Sequence, residues 1–169
     1  MEWTGAKYSD SPTVEVAIHI AASAERVWQL VADIEVLASL SDELQSVQWL
    51  DGVSAPRLGA RFIGRSSHPS LGEWTTTSFV VDFDPPRVFA WAVEDPDVPS
   101  ATWRFSLLQD GGGVELTQWA QLGPGRSGLN LAIDQMPEKE EKIVFVRLRE
   151  FERAMERNLA QIKLIAEAE

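Results

Sequence analysis

The sequence predicts a single α+β domain: a curved, seven-stranded antiparallel sheet around a long C-terminal helix, with two short helices after the first strand. Three observations support this. A strictly alternating segment near the start is followed by a helical period. Six more strand-like segments follow between turn-rich connections, and the chain ends in a long amphipathic helical pattern. A sheet with one face to bury packs most economically by curling around a helix with one apolar stripe.

The first strand is predicted over residues 13–20, where the apolar residues of "TVEVAIHI" alternate with the others. The next segment, "SAERVWQLVADI", changes to a helical period. Ser23 is a good N-cap, and Glu25 suits the positive end of the helix dipole in the first turn. A second short helix is predicted at about residues 34–43.

The remaining strands are predicted from short apolar or alternating runs. In order they are "SVQWL", "ARFIGRSS", "EWTTTSFVVDF", "RVFAWAV", "ATWRFSLL" and "VELTQWAQL". The connections are short and rich in turn residues, and a parallel crossover needs a dozen residues or more, so neighbouring strands are expected to be antiparallel. The "DGGG" segment precedes a strand, which predicts a hairpin turn and no phosphate-binding loop.

The C-terminal helix is predicted over residues 137–166, because apolar residues recur there at spacings of three and four. Pro137 fits the first helical turn, and glutamates follow it. The "LGPGRSG" segment ahead of this helix is predicted to be a flexible loop that carries Arg126.

Composition places the chain among globular proteins and excludes several function classes. It has 169 residues, a formal charge of −11 and no cysteine, which removes disulfides and thiolate chemistry. The negative charge argues against binding nucleic acid or anionic membranes. No segment is typical of an export signal or a membrane span, so we expect one cytoplasmic domain over residues 10–169, after an N-terminal extension at 1–9, with no integral membrane association. The sequence leaves the oligomeric state open.

Three stretches and the closing helix together resemble the polyketide cyclase/dehydrase-like branch of the START/Bet v1 (SRPBCC) superfamily. The stretches are "SAERVWQLVADIEVLASL", "WTTTSFVVDFDPPRVFAWAV" and "ATWRFSLLQDGGGVELTQW". The resemblance runs from about residue 12 to residue 168. It implies a helix-grip fold with a deep apolar cavity between the sheet and the last helix, and a hydrophobic ligand such as a lipid or polyketide. We expect no cofactor.

The residues leave three functions open. Binding of a hydrophobic small molecule for sequestration or transport is favoured, because the sequence offers no catalytic pair. The alternatives are a polyketide cyclase/dehydratase-type enzyme and a regulatory interaction module whose cavity is filled by its own side chains. A co-purified ligand would support the first function.

The candidate cavity residues come from the strand faces and the last helix, although large side chains on a curled sheet also fill ordinary cores. Gln118 shares a face with Leu116, but a bulge would turn Trp119 inward instead. Ser78 is a further candidate beside Thr76. The proposed lining comprises Phe62, Trp74, Thr76, Phe89, Trp91, Trp103, Phe105, Gln118, Met136, Phe151 and Met155, with Arg126 as a gate or polar anchor.

The two histidines suggest little chemistry. His19 falls on the polar face of the first strand and is expected to be solvated. His68, in the turn "SSHPS" beside the expected entrance, is placed for acid–base work, but a loop histidine without an identified partner is usually a surface residue. Two distant histidines without cysteine offer no ligand spacing for zinc, so no metal is expected.

Overall fold

The structure is a computed structural model, and it describes residues 1–168. None of the helices within that range is both long and apolar enough to cross a membrane. The strands and helices, in chain order, are β1 (Thr13–Ile20), α1 (Ala24–Val31), α2 (Ile34–Leu40), β2 (Leu44–Trp49), β3 (Arg61–His68), β4 (Gly72–Asp84), β5 (Val88–Val93), β6 (Ala101–Asp110), β7 (Gly113–Leu122), α3 (Gly128–Gln135) and α4 (Glu140–Glu167). Short 3-10 helices occupy Tyr8–Asp10 and Pro137–Lys139.

All seven strands form one antiparallel sheet in the order β1-β7-β6-β5-β4-β3-β2. Every neighbouring pair except β1 and β7 is consecutive in the chain, as the short connections predict. The helices α1 and α2 carry the chain from the β1 edge to the β2 edge. The predicted α+β class, the seven strands, the two short helices and the long last helix are therefore confirmed.

The short helices begin where the sequence places N-cap residues. The side chain of Ser23 accepts a hydrogen bond from the Arg26 backbone nitrogen at 3.2 Å, and Asp33 caps α2 in the same way. Helix α2 ends at Leu40, earlier than predicted, because Ser41 is extended and its hydroxyl accepts from the Leu44 backbone nitrogen at 2.9 Å. That contact turns the chain directly into β2.

The segment before the last helix differs from the sequence prediction, which treated it as a loop. Residues 128–135 form α3, capped by Ser127 and anchored by the buried Leu129 and Ile133. Pro124 and three nearby glycines obscure this helix in the sequence, and eight residues, about two helical turns, give too short a pattern to reveal it. As a result α4 begins at Glu140, after the 3-10 turn, and not at the proline.

Helix α4 packs closely against β1 and stands away from the middle strands β3, β4 and β5. Its buried stripe includes Val144, Met155, Leu159 and Ile162, each almost fully removed from solvent. Because the curved sheet contacts the helix mainly on one side, a space remains between α4 and the strands on the other side.

A bulge in β4 explains why both faces of "SFVVDF" are apolar. The pairing of β4 with β5 shifts between Val80 and Asp82. Ser78 and Val80 are buried, whereas Val81 is 40% exposed. The extra residue reverses the alternation within the strand, so the sequence alone does not fix its register.

The N-terminal residues pack against the domain through Tyr8, which lies in the segment predicted to be an extension. Its ring is buried in a cluster with Leu122 and Leu129. The hydroxyl oxygen lies 2.6 Å from the carbonyl oxygen of Gly125 and 3.3 Å from the Ser127 hydroxyl. Tyr8 therefore ties the chain start to the loop that precedes α3.

Tyr8 should make stability fall at alkaline pH. Burial of its hydroxyl raises its pKa above the ordinary value of about 10, despite the opposing effects of Ser127 and Arg126. The unfolded chain therefore loses this proton first, so the stabilising contribution is complete below about pH 10 and declines as pH rises further. Tyr8→Phe should cost about 1 kcal/mol at neutral pH and remove this part of the alkaline decline.

Urea denaturation of the wild type and Tyr8→Phe across alkaline pH measures this difference. Because Tyr8 is the only tyrosine, ultraviolet absorbance of tyrosinate follows the same proton directly in the folded protein. An identical alkaline decline in both proteins would contradict the prediction.

Candidate functional site

A cavity of about 910 Å³ lies between α4 and the concave face of the sheet. Strands β2 to β7 contribute to its wall, together with α2, the start of α3 and the middle of α4. The structure places ten of the twelve residues predicted for the cavity on this wall: Phe62, Trp74, Thr76, Trp91, Trp103, Phe105, Gln118, Arg126, Phe151 and Met155.

Aromatic rings form the deep part of the wall. The ring centroids of Trp91 and Phe105 are 6.2 Å apart, those of Phe62 and Trp91 are 6.0 Å apart, and those of Trp103 and Phe151 are 4.7 Å apart. The last pair joins the sheet to α4. Strands β5 and β6 pair Trp91 directly with Trp103, so alternate residues on adjacent strands present these rings to one side.

Two predicted lining residues lie elsewhere, and both predictions are corrected. Phe89 is fully buried, with its ring centroid 5.1 Å from that of Trp91 and 6.0 Å from that of Phe83. It fills the core beneath α1 and α2 and does not border the cavity. Met136 is 37% exposed and ends α3, because that helix, absent from the prediction, precedes the turn into α4.

Hydroxyl groups line the part of the wall that β3 and β4 provide. Across these paired strands, Ser66 lies opposite Trp74, Gly64 opposite Thr76, and Phe62 opposite Ser78. All of these residues border the cavity. This side of the cavity is therefore more polar than the aromatic side formed by β5 and β6.

Gln118 points inward and carries an unpaired buried acceptor. The residue is 6% exposed, borders the cavity, and its Oε1 atom has no hydrogen-bond partner among the described residues. Trp119 faces the opposite side, where the Arg104 guanidinium stacks 4.4 Å from the ring centre. An unpaired buried acceptor costs free energy. Oε1 is enclosed by its neighbours, so a guest molecule could supply the missing donor only if the side chain turned toward the cavity.

A charged cluster forms the polar end of the cavity. The Arg147 guanidinium donates to both carboxylate oxygens of Glu43 at 2.8 Å and to Oε2 of Glu150 at 2.9 Å. His68 Nε2 lies 2.6 Å from the same Oε2. Arg147 is buried and also stacks 4.7 Å from the centre of the Phe151 ring.

Electrostatics keep Arg147 charged in this position. Burial of the guanidinium opposes its charge, but the hydrogen bonds and charges of Glu43, followed by those of Glu150, outweigh that effect and raise the pKa of Arg147 above its ordinary value. Two carboxylates share one guanidinium. The three groups together therefore carry one formal negative charge.

His68 is held in a fixed orientation by contacts to both ring nitrogens, unlike the surface residue that the sequence suggests. Its side chain is only 13% exposed. The backbone N–H of Ser70 donates to Nδ1 at 3.0 Å, which leaves the ring proton on Nε2, directed at Glu150. His19, in contrast, is exposed as predicted, with a 53% exposed side chain near Asp110.

The donor set suits an ion-pair network better than a metal ion. One ligand atom each from Glu43, His68 and Glu150 lies within 4.8 Å of the others. However, Arg147 already occupies both oxygens of Glu43 and Oε2 of Glu150. A metal on His68 Nε2 would also require Nδ1 to carry the proton, where the Ser70 N–H points.

Two further ion pairs frame the cavity. Arg157 donates to Asp42 at 2.8 Å, so the α2–β2 connection is joined to α4 at two points, here and at Glu43. Arg126, the predicted gate, pairs with Asp134 of α3, and both side chains are more than half exposed. Arg126 thus borders the cavity but has its partner on the surface.

Sequence reasoning missed the charged cluster, although one signal for it was present. Arg147 falls on the apolar stripe of α4, next to Leu148 and one turn from Phe151. A charged residue on a buried helical stripe requires a partner. One partner, Glu150, lies three residues further along the same helix, where helical spacing can identify it. Glu43 comes from the α2–β2 connection and His68, which contacts Glu150, comes from β3, so no local spacing identifies these two.

Comparisons with known proteins agree with this architecture. The chain matches the family described as "Polyketide cyclase / dehydrase and lipid transport" over residues 11–164. It is similar to the solution structure of the Polyketide_cyc-like protein Cgl2372 from Corynebacterium glutamicum, with 30% sequence identity, a TM-score of 0.61, and 92% of this chain and 89% of that chain covered. None of the curated proteins matches the chain.

Two solved aromatase/cyclases share the fold at lower identity. The Zhui aromatase/cyclase from Streptomyces sp. R1128 is 17% identical with a TM-score of 0.65, covering 93% of this chain and 96% of that chain. The di-domain ARO/CYC StfQ of the steffimycin biosynthetic pathway is 14% identical with a TM-score of 0.66, covering 92% of this chain and 50% of that one.

Proposed function

The chain belongs to the polyketide cyclase/dehydrase and lipid transport family, and we propose that it binds a hydrophobic small molecule, such as a lipid or polyketide, inside its cavity. The observation that carries the proposal is the cavity itself. Its volume of about 910 Å³ lies at the upper end of the range of small-molecule pockets, about 300–1,000 Å³. A core packed by its own side chains would leave no such space.

The lining supports an apolar guest with a few polar groups. Trp91, Trp103 and Phe105 offer large apolar surfaces, and burial of apolar area contributes about 25 cal/mol per Å². The Glu150 cluster and the hydroxyl groups of β3 and β4 offer hydrogen bonds at separate points of the wall. Ligand sites typically combine an apolar lining with a small number of placed polar groups.

An enzyme of the cyclase/dehydratase kind is the second candidate, and the His68–Glu150 contact at the cavity wall is the observation that favours it. General acid–base catalysis requires a group that can exchange a proton with the substrate. Both ring nitrogens of His68 are already engaged, by Ser70 and by Glu150. That arrangement supports binding over proton transfer.

Filling the cavity from α4 tests the binding function. Ala154 borders the cavity, and Ala154→Phe should place a ring in the space that a ligand would occupy. We expect the affinity for the neutral apolar dye N-phenyl-1-naphthylamine to fall about tenfold or more, a loss of at least about 1.4 kcal/mol. Fluorescence titration measures this change, and native mass spectrometry of the freshly purified wild type shows any co-purified ligand.

Ala160→Phe is the matched control, because Ala160 lies on the same helix and is exposed. It should bind the dye as the wild type does. Equal affinity in the wild type and a folded Ala154→Phe variant would show that the dye binds outside the cavity and would contradict the proposal.

A further inference from the structure

We infer that Glu150 is the polar anchor of the cavity, accepting a hydrogen bond from a hydroxyl group on a neutral, largely aromatic ligand, such as a phenol. The inference rests on the proposed binding function and names its class of ligand. It depends on which atoms around Glu150 are already used by the protein and which remain free.

The two oxygens of Glu150 differ in their surroundings. Oε2 accepts from Arg147 at 2.9 Å and from His68 at 2.6 Å. No hydrogen bond from the described residues reaches Oε1, and Oε1 is not among the enclosed unpaired atoms, so it remains accessible. A carboxylate accepts hydrogen bonds through both oxygens. Glu150 therefore presents one oriented, unused acceptor at the cavity wall.

The two neighbours of Glu150, Arg147 and His68, are fixed as hydrogen-bond donors. Arg147 has donors only, and the Ser70 N–H on His68 Nδ1 fixes the imidazole with its proton on Nε2. Both groups therefore keep Oε2 occupied. We regard Arg147 and His68 as positioning residues for the carboxylate.

The charges around this point disfavour an anionic ligand. Arg147 already pairs with the carboxylates of Glu43 and Glu150. A ligand carboxylate would have to displace one of these two side chains from Arg147 while it lies close to the negative charge of the other. Arg157 has its own carboxylate partner and is more than half exposed, and Arg153 is exposed at the surface. Among the described residues, the buried part of the wall therefore supplies no spare cation for a fatty acid.

The rest of the wall fits an aromatic body with a second polar group. The rings of Trp91, Trp103 and Phe105 provide faces and edges for tilted packing against a flat guest. Gln118 Oε1 is a second unpaired acceptor, but its neighbours enclose it at the sheet, so a ligand reaches it only if the side chain rotates toward the cavity. An accessible acceptor such as Glu150 Oε1 selects a ligand with a hydroxyl group over one that can only accept hydrogen bonds.

Three naphthalene probes of similar size test the inference by isothermal titration calorimetry at neutral pH. They are 2-naphthol, which donates, 2-methoxynaphthalene, which does not, and the anion 2-naphthoate. In the wild type, 2-naphthol should bind about tenfold more tightly than 2-methoxynaphthalene, and 2-naphthoate should bind most weakly.

Glu150→Gln should remove the preference between the two neutral probes. Arg147 and His68 both donate, so they should hold the amide oxygen and turn its NH₂ group toward the cavity as a donor. The oxygens of both probes can then accept from this NH₂ group, so 2-naphthol no longer gains from its ability to donate. Glu152→Gln is the matched control, because Glu152 lies on α4 outside the cavity and pairs with Arg149. It should keep the wild-type order.

The outcomes separate this inference from the proposed function. Equal binding of 2-naphthol and 2-methoxynaphthalene by the wild type would overturn the inference but leave cavity binding intact, and so would an unchanged order in folded Glu150→Gln. Tighter binding of 2-naphthoate would overturn it as well. If neither the probes nor the apolar dye binds, the proposed function itself fails. The comparison of the three probes in the wild type tests the inference even if the Glu150→Gln variant does not fold.

Discussion

Replacing Gly125 by alanine should lower the free energy of unfolding by about 3 kcal/mol, because its Cβ has no space. A Cβ at this position would overlap the carbonyl oxygen of Val98 and lie 2.9 Å and 3.0 Å from the carbonyl carbon and oxygen of Pro99. These are backbone atoms, which cannot rotate away as a flexible side chain would. Urea denaturation measures the loss.

The effect should extend beyond the clash, since Gly125 joins three parts of the chain. Its nitrogen donates to Pro99 at 2.8 Å, and its carbonyl oxygen accepts from the Tyr8 hydroxyl at 2.6 Å. Arg126 and Ser127, the next two residues, border the cavity. Displacement of this loop should therefore weaken both the core contact of Tyr8 and the edge of the cavity.

Gly128→Ala provides the matched control three residues away. No atom lies within 4 Å of a Cβ built there, and Gly128 is the first residue of α3. Alanine should stabilise this position by about 0.5 kcal/mol, because it restricts the unfolded chain and favours the helix. Equal destabilisation by both substitutions would show that the clash at Gly125 is not the cause.

Periodicity was enough to predict the framework of the fold. The alternation of Val14, Val16, Ile18 and Ile20 reports a strand with one buried face, and the spacing of apolar residues from Val144 to Ile162 reports the stripe of α4. These patterns are local, and both the strand and the helix are present in the structure. The short connections fix the antiparallel order because they leave no room for crossovers.

The site could be predicted only in part, because its polar end depends on distant residues. Glu43 and Arg147 are separated by 104 positions, and His68 and Glu150 by 82. No local period relates them. The same limit explains Phe89, which has the inward register of Trp91 but is covered by α1 and α2. Register predicts the face of a side chain, whereas the packed helices decide whether that face is core or cavity.

Arg147→Met should also cost about 3 kcal/mol of unfolding free energy, because it leaves two partly buried carboxylates without their shared cation. Methionine keeps the apolar stem of the side chain against Phe151, so most of the loss should be electrostatic. Adding Glu43→Gln should recover part of it, since one of the two facing charges is then removed. Urea denaturation of the single and double variants measures both effects.

Arg157→Met separates burial from charge, because Arg157 joins the same α2–β2 connection to α4 through Asp42. That pair is 57% and 76% exposed, against 9% for the Arg147 side chain, so water screens it. We expect a loss below about 1 kcal/mol, as is typical of surface ion pairs. If both variants lose equal stability, burial does not strengthen the Arg147 cluster. If only Arg147→Met is costly, the guanidinium is what keeps Glu43 and Glu150 together as charged groups at the cavity wall, which the role of Glu150 as a fixed acceptor requires.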